Sequence, residues 1–196
     1  QPDLVLVGRA PQVIQKLQAL GLNVQEVDAL SIEEVRSVLQ RLDGLLDTQA
    51  APAVIAAMDQ KLDALREQAA KIPAQRVYIE LDAALYSAAP SSFIGELLAL
   101  LGAQNIAAAS TTAYPKLSPE YVVQHAPELI IQTYSQGAHA VHTRPGWHRI
   151  PALEHGRICP LTAEERRIAT RPGPRLAEAA EIFLRCLRMP YRERTP

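Results

Sequence analysis

The sequence has no apolar run near the roughly 18 residues needed for a bilayer-crossing helix, so a transmembrane helix is excluded. It opens on Gln1-Pro2-Asp3-Leu4, with no basic stretch and signal-type apolar core ahead of the first apolar segment. Cysteine is scarce: Cys159 and Cys186 could pair in an oxidising compartment but cannot define a disulfide framework in 196 residues, and two buried free thiols are the favoured reading. No Ser-His-Asp order, Walker loop or dinucleotide Gly-x-Gly-x-x-Gly is present. Aromatics are few where positive charge gathers. Residues 144–196 carry 11 Lys and Arg against 6 Asp and Glu, but only Trp147, Phe183 and Tyr191 as aromatics, and acids are mixed through the segment. A solvated basic face is expected there, and no nucleic-acid partner. The first 143 residues balance it with 9 basic against 15 acidic residues, leaving a net charge of -1. With 48% hydrophobic and 21% charged residues, the composition is that of an ordinary globular protein.

What is present is an alternation of short apolar strands and amphipathic helices. Leu4 to Val7 and Leu22 to Val27 read as strands around a helix from Pro11 to Leu20 that stops at Gly21. Ser31-Ile-Glu-Glu34 opens the next helix with a capping box, and Val35, Val38, Leu39, Leu42 and Leu46 form its apolar face. From Pro52 to Ile72 a stripe of Val54, Met58, Leu62, Leu65, Ala69 and Ile72 marks a helix of about 20 residues, about 30 Å long, suited to bridge two lobes. The alternation then resumes. Val77 to Leu81 is a strand, and Ser92 caps a helix carrying Phe93, Ile94, Leu97, Leu98 and Leu101. Ser118-Pro119-Glu120 starts a short helix, Leu129 to Gln132 and Arg157 to Leu161 are strands, and a helix spans Leu176 to Leu187. A loop rich in His, Gly and Arg covers Gln136 to Trp147. The motif Pro-acid-Leu followed by apolar residues occurs twice, at Pro2-Asp3-Leu4 and Pro127-Glu128-Leu129, on either side of the long helix.

These features, with Leu20-Gly21-Leu22-Asn23-Val24, Phe93-Ile94-Gly95-Glu96-Leu97-Leu98, Tyr114-Pro115-Lys116-Leu117-Ser118-Pro119-Glu120, Gly156-Arg157-Ile158 and Arg171-Pro-Gly-Pro-Arg175, run along nearly the whole chain. In that order and spacing the sequence resembles the class III periplasmic solute-binding proteins of ABC importers for cobalamin, haem and iron-siderophores. The resemblance implies an α/β fold of two Rossmann-like lobes joined by one long helix, with ligand between them. The expected division is a partial N-terminal lobe over residues 1–47, a connecting helix over 48–73, a C-terminal lobe over 74–190 and a tail over 191–196. The N-terminal lobe is expected to be incomplete, leaving apolar surface and hence self-association.

The same resemblance implies a non-enzymatic protein with no resident cofactor, the metal chelate being cargo. Its partner would be an ABC importer permease, and its location periplasmic or otherwise extracytoplasmic, compatible with a lipid anchor. Glu120 matches the C-lobe glutamate that docks on transporter arginines; a carboxylate at a helix start is also favoured by the helix dipole. Tyr114 matches a position where the family places an aromatic against ligand. Tyr86, Ser92 and Phe93 follow the first C-lobe strand at the carboxyl edge where open α/β sheets bind ligands, Phe93 also fitting a core role. Arg171 brackets the proline-glycine turn, where a guanidinium suits a propionate, phosphate or catecholate oxygen. Trp147 falls on a segment near the family's cleft or, equally, in the core. His139, His142 and His148 are candidate metal ligands, on a loop whose spacing lacks the pairing of structural zinc sites. Two other readings use the same residues. One is a chelatase-like enzyme acting on tetrapyrroles through His139, His142 and Glu120, and the other is an interaction module without ligand binding.

Overall fold

The computed structural model describes residues 2–134 and 141–191. Strand β1 (Val5–Val7), helix α1 (Pro11–Ala19), strand β2 (Val24–Glu26) and helix α2 (Ile32–Leu46) lead into the long helix α3 (Ala51–Ala69). There follow β3 (Arg76–Glu80), α4 (Phe93–Leu100), β4 (Gln104–Asn105), α5 (Pro119–His125) and β5 (Leu129–Gln132). A 3-10 turn (Trp147–Arg149), α6 (Pro151–Glu154), β6 (Ile158–Pro160), α7 (Ala163–Ala169) and α8 (Leu176–Leu187) complete the described order. The expected elements are all found, with ends moved by a few residues. Strand β4, the 3-10 turn and helices α6 and α7 are additions whose apolar patterns are too short to stand out in the sequence.

Two parallel sheets lie on either side of α3 in the sequence. The first pairs β1 with β2, Val5 opposite Val24. The second has the order β4-β3-β5-β6, with Ile79 opposite Ile131 and Ile131 opposite Cys159. Side chains alternate across this larger sheet, and both of its faces are covered. Val77, Ile79, Leu129, Ile131 and Cys159 face a core shared with α3, α4 and α8, while Tyr78 and Ile130 face a second core with Val122, Val141, Trp147, Ile150 and Ala152. Burial on both faces is why these strands are continuously apolar rather than alternating.

The connecting helix does not stand free. Met58, Leu62, Leu65 and Ala69 recur every three or four residues and are buried in the larger core, with α8 among its walls. Lys61 pairs with Glu181 of α8 at 2.7 Å, and Arg188 donates to Gln68 at 2.9 Å. Val54, expected on the same stripe, is instead 38% exposed, because it precedes the part of α3 seated on the core. At the corner between α2 and α3, Asp47 and Gln49 adopt positive φ, and the Asp43 carboxylate accepts from Thr48 and from the Ala50 amide.

The first sheet is thinly covered among the described residues. Helix α1 has no buried residue, and Leu6, Val13, Leu20, Leu45 and Leu46 are exposed. Cys159 and Cys186 are joined in a disulfide between β6 and α8, which corrects the expectation of two free thiols. The reason is geometric: Cys159 is on the helix-facing side of β6, and its Cα lies 5.7 Å from that of Cys186 on the packed helix.

Candidate functional site

In both sheets the strands run in parallel, so each has a single carboxyl edge from which its connecting loops emerge. The loop after β2 meets the loops at the carboxyl edge of the larger sheet. Asp28 in that loop is close enough to Tyr114 for its charge to act on the phenol, and the Ile32 amide donates to Glu96 at 2.7 Å. The loop after β2 is thus brought to the carboxyl edge of the larger sheet, and Arg9, after β1, pairs with Glu26 and Asp28 on the same side.

Tyr86 is presented by a tight turn after β3. The Asp82 carboxylate accepts from the amides of Ala84 and Tyr86, Leu85 takes a positive φ, and Tyr86 bridges antiparallel to Lys116. The side chain is left 42% exposed. Tyr114 is half-buried against the larger core, and burial, reinforced by Asp28, raises its phenol pKa above the ordinary value, so it remains a neutral donor. Arg171 is exposed and lines a cavity of 340 Å³ with Thr133, Ala163, Arg166, Arg167 and Thr170. Arg167 and Arg175 share the carboxylate of Glu164, whereas Arg166 and Arg171 have no ion pair among the described residues. The Arg166 Nε is buried without an acceptor. The cavity is therefore rich in donors and short of acceptors, an arrangement that fits an anionic oxygen.

Three expected ligand contacts are interior instead. Ser92 is fully buried as the cap of α4, donating to the Ala89 carbonyl and accepting from the Gly95 amide. Phe93 is 2% exposed within the larger core. Trp147 is fully buried, edge-to-face with Tyr78 at 6.1 Å, and the Arg144 guanidinium lies 4.3 Å from its ring centroid. Phe93 and Trp147 are consumed by packing and Ser92 by capping, which leaves none of the three open to a ligand. Glu120 is exposed in the first turn of α5, where the Ser118 hydroxyl accepts from the Tyr121 amide. His142 and His148 are exposed, and His139 lies outside the described residues. No group of three or more His, Cys, Asp or Glu side chains suited to a metal ion occurs among the described residues.

One polar cluster was not anticipated. Glu80 and Gln132 end two neighbouring strands in register, both fully buried, and the Gln132 Nε2 donates to Glu80 at 3.0 Å. Arg144 reaches Glu80 at 2.6 Å and donates to the Tyr134 hydroxyl at 3.1 Å. Burial would lower the Arg144 pKa, but hydrogen bonding and charge from Glu80 outweigh it, and the guanidinium is held charged. Burial first, then the Glu80 charge, pushes the phenols of Tyr78 and Tyr134 up. The available signal was a polar residue closing each of two apolar strands, Val77-Tyr78-Ile79-Glu80 and Leu129-Ile130-Ile131-Gln132. Pairing them with Arg144 needs the fold.

Comparison with known proteins agrees with this architecture. A family model described as periplasmic binding protein matches residues 1–165. An uncharacterised ABC transporter substrate-binding lipoprotein of Bacillus subtilis is 30% identical over 193 residues, covering 92% of this chain and 60% of that protein. The vitamin B12-binding protein of Vibrio cholerae is 27% identical over 189 residues, covering 92% of this chain and 66% of its own length. The chain thus spans less than two thirds of the length of either relative. In three dimensions, a possible iron-binding periplasmic solute-binding protein of Staphylococcus epidermidis superposes with a TM-score of 0.82 at 23% identity, over 96% of this chain and 77% of that one. Two parallel sheets, a long helix between them in the chain and a family match over most of the sequence lead to one conclusion: the chain belongs to the periplasmic binding protein family.

Proposed function

We propose that this chain is the solute-binding component of an ABC importer and takes a bulky metal chelate, a ferric siderophore, haem or cobalamin, into the crevice between its sheets. The observation that supports the reading is the approach of the loop after β2 to the carboxyl edge of the larger sheet, where Tyr86 is exposed, Tyr114 is half-buried and the Arg171 cavity reaches the edge through Thr133. Aromatic surface suits a flat or bulky chelate, and the unpaired arginines suit anionic groups on its rim. The reading is non-enzymatic: recognition and release require no bond to be made or broken. The disulfide fits an oxidising, extracytoplasmic location. Glu120, exposed at the start of α5, would dock on the permease, and the exposed leucines around β1, α1 and α2 would support self-association.

Titration of the purified protein with haem, cobalamin and ferric siderophores, followed by absorbance and calorimetry, tests the reading. A stoichiometric complex with one of them is expected, weakened at least tenfold by Tyr86→Ala or Arg171→Ala. Absence of binding to any would overturn it. For docking, Glu120→Arg is expected to leave chelate affinity unchanged and to abolish stimulation of the cognate transporter's ATPase.

A further inference from the structure

The hydrogen bond between Ile32 and Glu96 joins residues 64 apart in sequence and crosses from one α/β unit to the other. Ile32 is the first residue of α2, and its amide is one of those that a helix start leaves without an intrahelical acceptor. The Ser31 hydroxyl serves the Glu34 amide, and the Glu34 carboxylate turns back to the Leu30 amide at 2.7 Å. The Ile32 amide is instead satisfied from outside, by a carboxylate in the first turn of α4. A charged acceptor at 2.7 Å, set at the positive end of a 15-residue helix, makes this a strong directional contact between the two units.

Glu96 is itself rigidly placed. Its neighbour Gly95 accepts no side chain: a Cβ there would lie 2.0 Å from the Ala89 carbonyl oxygen. Ser92 fastens the same turn by donating to Ala89 and accepting from Gly95. Leu97 and Leu98 anchor the following turn in the core. The carboxylate is therefore presented from a fixed platform to the first residue of a helix that packs on the larger core through Val35, with Ile32, Val38 and Leu39 against it, and pairs with α3 through Arg36 and Asp59; the Glu96 bond is the contact that holds its start.

We infer that Glu96 is a positioning residue that clasps the start of α2 and thereby sets the opening of the crevice between the two sheets. This rests on the crevice being the ligand site, but the clasp can be read without ligand. In the ligand-free protein, Glu96→Ala should lower hydrogen-exchange protection of the Ile32 amide at least tenfold. It should also broaden the distance distribution between spin labels placed at Gln18→Cys on α1 and Gln124→Cys on α5. Glu96→Gln, which keeps an acceptor oxygen without the charge, should give an intermediate loss and a narrower distribution than the alanine variant. Protection and distances unchanged in both variants would overturn the clasp, as would a loss at Ile32 matched by equal losses at amides throughout the larger sheet, which marks a merely structural group. A clasp that behaves as described in a protein that binds none of the chelates would instead count against the proposed function alone.

Discussion

Glu80 is fully buried and Arg144 is largely shielded, and the energetic consequence of their pairing is asymmetric. The pair contributes modest net stability, but removal of one member strands the other in a poorly hydrated site. Arg144 is further committed through Trp147 and Tyr134, so it cannot simply turn out to solvent. Glu80→Ala is therefore expected to cost about 3–5 kcal/mol in urea denaturation, and Glu80→Gln less, since an amide oxygen still faces the guanidinium. Tyr78 adds a pH dependence. Its phenol pKa is raised by burial above the ordinary 10.0, so above that pH the unfolded chain gives up this proton while the folded chain retains it. Stability from this group is present in full below pH 10.0 and is lost as pH rises toward the higher folded value. A stability profile from pH 8 to 11 should therefore fall at its alkaline end, and Tyr78→Phe should flatten that fall. In the sequence, Tyr86 stands out by its place after the first strand of the larger sheet, and Tyr114 and Arg171 by the family resemblance. Sequence could not separate them from Ser92 and Trp147, since an aromatic or hydroxyl side chain reads alike whether it lines a crevice or packs beneath it.

At the level of elements, the disulfide between β6 and α8 closes a segment with a sequence separation of 27 residues. Loop-closure entropy puts its contribution at about 3.5 kcal/mol, depending on how much structure the reduced unfolded chain retains. Both sulfurs belong to the core, so reduction should need partial unfolding. Thermal denaturation is accordingly expected to shift markedly downward in Cys159→Ala/Cys186→Ala, while brief reductant treatment of the native protein should leave the bond intact. A variant pair with unchanged melting would contradict the assignment. Most helices and strands were legible because their apolar periods are long: α3 and α8 repeat over several turns, and β3 and β5 carry apolar runs closed by one polar residue. The two-residue β4 and four-residue α6 were not legible, because such lengths complete no period and are fixed by neighbours rather than by their own pattern.

For the whole molecule, coverage of the two sheets is unequal. The larger sheet is packed on both faces, whereas the two-stranded sheet, the end of α1 and the end of α2 leave Leu6 48%, Leu20 70% and Leu46 56% exposed. Apolar surface of this kind favours association in water, so light scattering is expected to show a species larger than a monomer, reduced by Leu20→Lys and Leu46→Lys together. A compact monomer at micromolar concentration would contradict that expectation.

The seating of α3 on α8, with α8 stapled to β6, makes the connector part of the larger body. Any rotation of β1, α1, β2 and α2 then has its fulcrum at the corner around Thr48, where Asp43 and two residues of positive φ lock the chain. Helix α2 is the lever arm, 15 residues or about 22 Å long, so a rotation of about 5° sweeps its far end by about 2 Å. The Glu96 contact acts at that far end, where leverage is greatest, and shares the load with the Arg36–Asp59 pair one turn along, which ties the same end of α2 to α3.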